Sequence, residues 1–323
     1  MIQIDSVDTL LGDSEIAIFE NEVPEFVYQE IDRIYEHMGC SLLNLRMLKK
    51  LPGASTYVVR QDGAVITALL FRVEGRKVQV LSDFVRLDPA EVQVFADTLF
   101  RRFPSAWMVV FDALKTQIGA FPYPFQRQNC SEDIVINLPE TVDEYRGRLA
   151  KKTRHELKRY AHRLTEDHPS YGCRLCVKEE IREEDIRAIL DLQRQRMAGK
   201  GLVSRIDEEE TQWILHLALQ RGMVLVATLD GEICGGWIGF CIGRRCFSHV
   251  IAHDPKYNPY ALGMLIHYTA ICEGISRGLK SFNLMFGRNP YKYQLLGTNV
   301  DVAHVDIYRS RFHAFLFSGR IAR

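Results

Sequence analysis

The sequence predicts an α/β (α+β) fold of two tandem domains, each a mixed, mostly antiparallel sheet flanked by helices. Three observations carry this. One pattern occurs twice: Tyr57-Val-Val-Arg-Gln-Asp62-Gly63, an apolar run and Gly75-Arg76-Lys77 are matched by Leu225-Val-Ala-Thr-Leu-Asp230-Gly231, an apolar run and Gly243-Arg244-Arg245. Asp62 to Asp230 and Gly75 to Gly243 share one offset, 168 residues. The Asp-Gly pairs lie between β-rich runs, where both central turn positions can take positive φ, so each copy reads as a strand, tight turn, strand, turn, strand meander. Finally, 323 residues with 47% hydrophobic and 25% charged side chains suit two globular domains of about 150 residues each.

The elements follow in order. A helical segment from Glu25 to Met38 precedes the first meander. After its third strand, Leu87-Asp88-Pro89 opens a helix, and Trp107 to Phe111 returns to the sheet. The stretch Leu138 to Thr165 differs in character. Arg146 to Arg163 holds eight Lys or Arg against one Glu. Its apolar positions Leu149, Leu157, Tyr160, Ala161 and Leu164 describe a basic amphipathic helix bridging the halves. A strand follows at Cys173 to Lys178, then helices at Glu183 to Met197 and Glu208 to Gln220, the latter carrying Trp213, Ile214, Leu217 and Ala218 on its apolar face. Beyond the second meander, His253-Asp254-Pro255 leads to a helix with Leu262, Leu265, Ile266, Thr269 and Cys272 on one stripe. Arg277-Gly278 ends that helix, and Ser281 to Phe286 is the returning strand. The expected divisions are 1–140 for the first domain, 141–170 for the basic helix and 171–323 for the second domain.

Charge and composition exclude several classes. With 41 basic and 41 acidic side chains the net charge is zero, so nothing draws the whole chain to nucleic acid or anionic membrane. Met1 to Glu15 carries Asp5, Asp8, Asp13 and Glu15 and lacks the cationic lead into an apolar run that a secretory leader has. No apolar run reaches the roughly 18 to 20 residues of a spanning helix. The eight cysteines are scattered, several within apolar strand-like runs, as reduced thiols are. Cys173 and Cys176 form a Cys-x-x-Cys with no second pair at zinc spacing. These features point to the cytoplasm and to no metal.

The segment best suited to a ligand is Phe247-Ser-His249-Val250-Ile251-Ala-His253-Asp254-Pro-Lys256-Tyr257-Asn-Pro-Tyr260-Ala261-Leu262-Gly263-Met264. A strand entering a helix N-terminus leaves backbone N–H groups aligned with the helix dipole, a setting that binds phosphate. Gly263 would admit an anion close to the backbone, and Lys256 would add charge at the rim. The first copy has no glycine there and places Asp88 and Glu91 at its helix entrance, where carboxylates satisfy the dipole and repel a polyphosphate. One ligand per chain, held by the second domain, is the expectation. Strand spacing puts His249 and His253 on one face and Asp254 on the other. The pair Gly235-Gly236 before Trp237 marks either a close approach or a bulge.

These residues, with Phe286-Gly287-x-x-x-Tyr291-Lys292 and the basic Lys151-Lys152-Thr-Arg154-His-Glu-Leu-Lys158-Arg159, resemble the GNAT acyltransferase superfamily. More narrowly they resemble the cellulose-biosynthesis acetyltransferases (CelD/BcsL), and distantly the FemAB-like aminoacyltransferases, which also use tandem GNAT-like units. The first domain would be a degenerate copy and the second catalytic. The resemblance covers about Thr141 to Leu296; of the usual Gly-x-Gly or Gly-x-Ala phosphate loop only Gly263 is present.

The resemblance implies transfer of an acyl group from acetyl-CoA or another acyl-CoA to an amine of a small-molecule or saccharide acceptor, by direct attack in a ternary complex. His253 is favoured as base with His249 second, and Tyr291 or Tyr293 would protonate the leaving thiolate. Val250, Ile251, Lys256, Ala261, Leu262, Gly263, Met264 and Lys292 would hold the cofactor. Arg154, Arg196, Trp237 and Asp254 would face the acceptor. Two alternatives stand beside it: a FemAB-like enzyme using aminoacyl-tRNA, drawn by the basic helix, and a non-catalytic binding protein.

Overall fold

The computed structural model describes residues 3–6, 14–117, 119 and 121–318. Most of the acidic N-terminal segment read against a leader lies outside these residues. In chain order the elements are β1 (Gln3–Ser6), β2 (Ser14–Phe19), α1 (Phe26–Tyr35), α2 (Leu42–Met47), β3 (Ser55–Gln61), β4 (Ala64–Glu74), β5 (Lys77–Val80), β6 (Val85–Arg86), α3 (Pro89–Arg102), β7 (Met108–Lys115) and β8 (Phe125–Asn137). There follow α4 (Val142–Arg148), α5 (Lys151–Asp167), β9 (Gly172–Val177), α6 (Glu183–Ala198), α7 (Glu208–Arg221), β10 (Gly222–Leu229), β11 (Glu232–Ile242) and β12 (Arg245–His253). The chain ends with α8 (Leu262–Ser276), β13 (Ser281–Asn283), α9 (Pro290–Gln294), β14 (Thr298–Tyr308) and α10 (Arg311–Ser318). It divides into two compact units, Met1–Glu132 with Val300–Arg323, and Asp133–Asn299.

Each unit has the expected mixed α/β architecture. In the first, β2, β3, β4 and β5 pair antiparallel, and α3 crosses over so that β7 lies parallel to β5. In the second, β9 to β12 pair antiparallel, and α8 crosses over to a parallel β13. The Asp-Gly turns form as read: Asp62 and Gly63 have φ of 51° and 79°, Asp230 and Gly231 of 52° and 83°. The repeat extends to the irregularities, since the register shift between Val59 and Arg60 is repeated between Ala227 and Thr228, at the same 168-residue offset.

Two divisions differ from the sequence reading. The last strand belongs to the first unit, because β14 pairs antiparallel with β7 through Val305↔Phe111 to Tyr308↔Met108. The basic stretch is two helices, α4 and α5, both in the second unit. Leu149 and Ala150 are extended at the break, and the Arg154 guanidinium donates to the carbonyls of Arg146 (3.4 Å) and Gly147 (3.0 Å) across it. Leu157 and Leu164 then join the core formed by Leu262, Leu265 and Ile266.

Helix capping separates the two copies. Asp88 accepts from Glu91 N–H and Glu91 accepts from Asp88 N–H, a reciprocal box that closes the start of α3. The corresponding Asp254 caps a short 3-10 turn, Pro255–Tyr260, and α8 begins only afterwards, at an Ala261 that has no side chain to cap it.

Candidate active site

The site is a gap in the sheet of the second unit. Strands β12 and β13 pair only from Arg245↔Ser281 to Phe247↔Asn283. Beyond Asn283 the chain stays with β8, Leu284 N–H donating to Ile134 O (2.7 Å) and Ile134 N–H to Met285 O (3.3 Å). Among the described residues, the edge of β12 from Ser248 to His253 is therefore left without a strand partner on that side. In the first unit the same place is closed: Phe84 N–H donates to Ala113 O (2.6 Å), and β6 pairs with Leu114 and Lys115.

The two histidines do not share a face. Ile238 pairs with Val250 and Gly239 with Ser248, so His249 is the extra residue of a bulge. This insertion inverts the alternation that the sequence reading assumed. His249 packs on Trp213 of α7 (centroids 4.8 Å) and Phe240, with Nε2 3.2 Å from Glu210 Oε1. His253 lies on the opposite, α8 side, where a Cβ on Gly263 would sit 3.1 Å from its Nδ1 and Cε1. Gly263 thus gives room first of all to the His253 ring.

His253 Nε2 is 2.8 Å from Asn258 Oδ1. With Asn258 accepting, Nε2 carries the proton and Nδ1 keeps a lone pair; Nδ1 is buried and has no hydrogen-bond partner. Burial, opposed by the Asn258 bond and aided by the charge of Arg196, lowers the His253 pKa, so the ring is neutral at pH 7.

Around the gap stands a polar cluster of which the sequence reading singled out only part. His267 of α8 is buried, its Nε2 3.0 Å from Ser248 Oγ, which accepts a 2.7 Å bond from Trp237 Nε1. Burial, helped by Lys292 and Arg196, lowers the His267 pKa to about 3. Tyr291 stacks on His267 (5.2 Å, 24°), and burial raises its hydroxyl pKa. Arg196, at the end of α6, reaches Ile251 O (3.4 Å) and acts electrostatically on His253, His267 and Tyr291. A histidine on an apolar helix stripe, four residues after Gly263, was the available signal for His267.

Other expected site residues have structural duties. Trp237 is fully buried and stacks on Phe282 at 5.3 Å, so it does not face an acceptor. Lys292 is buried and donates to the carbonyls of Met285 (3.1 Å) and Phe286 (2.7 Å), tying down the lip of the gap. Asp254 is engaged by Lys256 N–H and Nζ, both at 3.0 Å, and Tyr293 donates to Asn299 (2.9 Å). Arg154 lines a separate cavity of about 440 Å³ between α5 and α8, with Arg146, Lys158 and Leu265. Val250 and Leu262 are buried, Ile251 and Met264 are half-buried, and Ala261 has a φ of 49°. Gly235 and Gly236 mark close approach on both faces, of Ile266 and Ile189 respectively. Among the described residues no His, Cys, Asp and Glu group has the arrangement of a metal site.

Residues 151–293 match the model of the acetyltransferase (GNAT) domain. This segment is a GNAT-type acyltransferase domain. The match takes in the basic α5, the gap, the bulge and Tyr291, the part of the chain in which the site was found. The fold of the whole chain is similar to FemX (9% identity, 93% of this chain and 99% of that one, TM-score 0.62). It is similar too to a conserved protein of unknown function from Bacteroides thetaiotaomicron (14%, 96% and 100%, TM-score 0.56). A tandem GNAT protein from the clavulanic acid pathway aligns at 13% identity over 90% of this chain and 98% of that one, with a TM-score of 0.43. No curated protein matches the chain in sequence. Among the described residues no helix is long and apolar enough to cross a membrane.

Proposed function

We propose that the second unit is an acyl-CoA-dependent N-acyltransferase, most simply an acetyltransferase of the cytoplasm related to the CelD/BcsL group, acting on an amine of a small molecule or saccharide. The observation that carries this reading is the open β12 edge beside an uncapped α8, inside the segment matched by the GNAT domain. The cofactor fits: Ala261 offers no competing carboxylate at the helix start, and among the described residues the β12 backbone from Ser248 to His253 has no strand partner on its gap side, where an extended chain can align. Acyl-CoA supplies the thioester carbon that the amine attacks.

The chain's own residues then move protons. Neutral His253 takes the ammonium proton as attack proceeds, directly or through a water. Tyr291, kept protonated by burial, stands to donate to the leaving thiolate. Calorimetry with acetyl-CoA and longer acyl-CoAs tests the reading. Binding is expected; no heat with any of them at millimolar ligand would remove it.

A second reading, transfer from aminoacyl-tRNA, draws on Lys151, Lys152, Lys158 and Arg159, which are exposed on α5. It requires tRNA retention that weakens steeply with salt in a gel shift, since such binding is dominated by phosphate contacts.

A further inference from the structure

Arg196 stands out among the charges of the gap. Its guanidinium bonds a carbonyl, Ile251 O, and among the described residues no carboxylate lies within ion-pair distance of it. The other groups facing the gap do not supply the missing anion. Asp254 is engaged by Lys256, Glu210 lies against His249 on the other face, and Lys292 adds a second buried cation. Lys200, just beyond α6, is a third cation whose field reaches His253. An Arg fork held half-buried beside a base, with no carboxylate among the described residues paired to it and cations gathered, is a receptor for an oxyanion.

We infer that the acceptor amine is carried by a molecule that also bears a carboxylate or phosphate, and that Arg196 binds this oxyanion while His253 faces the amine. The inference rests on the acyltransferase reading and deepens it. It gives the cation at the end of α6 an anionic partner that the described residues do not supply. An anion on Arg196 cancels the charge that opposes protonation of His253. Acceptor binding would therefore strengthen the base at the moment it is needed.

Simple anions can stand in for the acceptor in a direct test. The His253 Cε1–H resonance is titrated with acetate and, separately, inorganic phosphate replacing chloride at constant ionic strength, in the wild type and in Arg196→Met. The expected result is a saturable shift and a raised His253 pKa in the wild type, with the anion response lost and the pKa already raised in the variant. The stronger of the two anions identifies the class. A His253 signal indifferent to both anions, or one that responds equally in Arg196→Met, overturns the inference. Paired acceptors give the kinetic arm: an amino acid against its amide, and glucosamine 6-phosphate against glucosamine. Any acetylated amine should prefer its charged member by about tenfold or more in kcat/KM, the preference vanishing in Arg196→Met while the KM for acetyl-CoA stays unchanged. Equal use of charged and neutral members also overturns it. Failure of the parent reading looks different, because acetyl-CoA would then give no heat in calorimetry whatever the anion titration shows.

Discussion

His267 should make the second unit acid-sensitive by a calculable amount. The ring is buried against Tyr291 and accepts or donates only to Ser248, and its pKa is lowered to about 3. An unfolded histidine titrates near about 6.5. The folded state therefore refuses a proton that the unfolded chain accepts, so the stabilisation is complete above about pH 6.5 and is lost as the pH falls toward 3. Two pH units below the unfolded pKa, at about pH 4.5, the loss is about 3 kcal/mol at roughly 1.4 kcal/mol per unit. His267→Gln keeps a donor and an acceptor near Ser248 but cannot titrate. Urea unfolding of both proteins between pH 7 and 4.5, followed by Trp fluorescence, gives a difference in which contributions of all other groups cancel. The expected course is a wild-type advantage at pH 7 that shrinks or inverts by about 3 kcal/mol at pH 4.5. A difference independent of pH, or a His267 Cε1–H signal that titrates near its ordinary value, would refute the account of a neutral, buried ring.

Two further outcomes follow from packing and capping. In Gly236→Ala the new Cβ meets Ile189 Cδ1, Ile189 Cγ1 at 2.5 Å and Leu225 O at 2.9 Å, so the second unit should lose about 1–3 kcal/mol in denaturant unfolding, part of it restored by Ile189→Val, which removes Cδ1. Asp88→Ala removes the bond from Glu91 N–H and should lower the stability of the first unit by about 1 kcal/mol, while acetyl-CoA affinity measured by calorimetry stays unchanged.

Much of the architecture was legible because its signals are local. Asp-Gly at 62–63 and 230–231 dictates the turn wherever the flanking strands go, and the shared offset carried the second meander from the first. The site was harder to read. Counting His249 to His253 along a strand assumes unbroken alternation, and nothing in Phe247-Ser-His-Val-Ile announces an inserted residue. His267 was hidden for a related reason: its spacing matches the apolar face of α8, and its partners Ser248, Trp237 and Tyr291 come from three other elements. Arg154 and Arg196 look alike in sequence, yet one seals a break between helices and the other reaches the gap.

The divergence of the two copies can be placed at a single residue. Their ladders keep the same register as far as Phe71↔Val80 and Gly239↔Ser248, pairs separated by the common offset. At the next position the first copy has Leu81, whose N–H still bonds Leu70 O at 2.8 Å, while Ser82 Oγ accepts from Leu70 N–H at 2.9 Å and the chain turns off to form β6. The second copy has His249, which is pushed out of the ladder as a bulge so that β12 continues along β11 to His253. One path returns to β7 and closes the sheet over a capped helix; the other carries a strand edge, a neutral imidazole and an uncapped helix start to the same gap. Ligand binding by the second unit alone thus follows from how the chain leaves the ladder after one shared register pair, more than from the glycine at the head of α8.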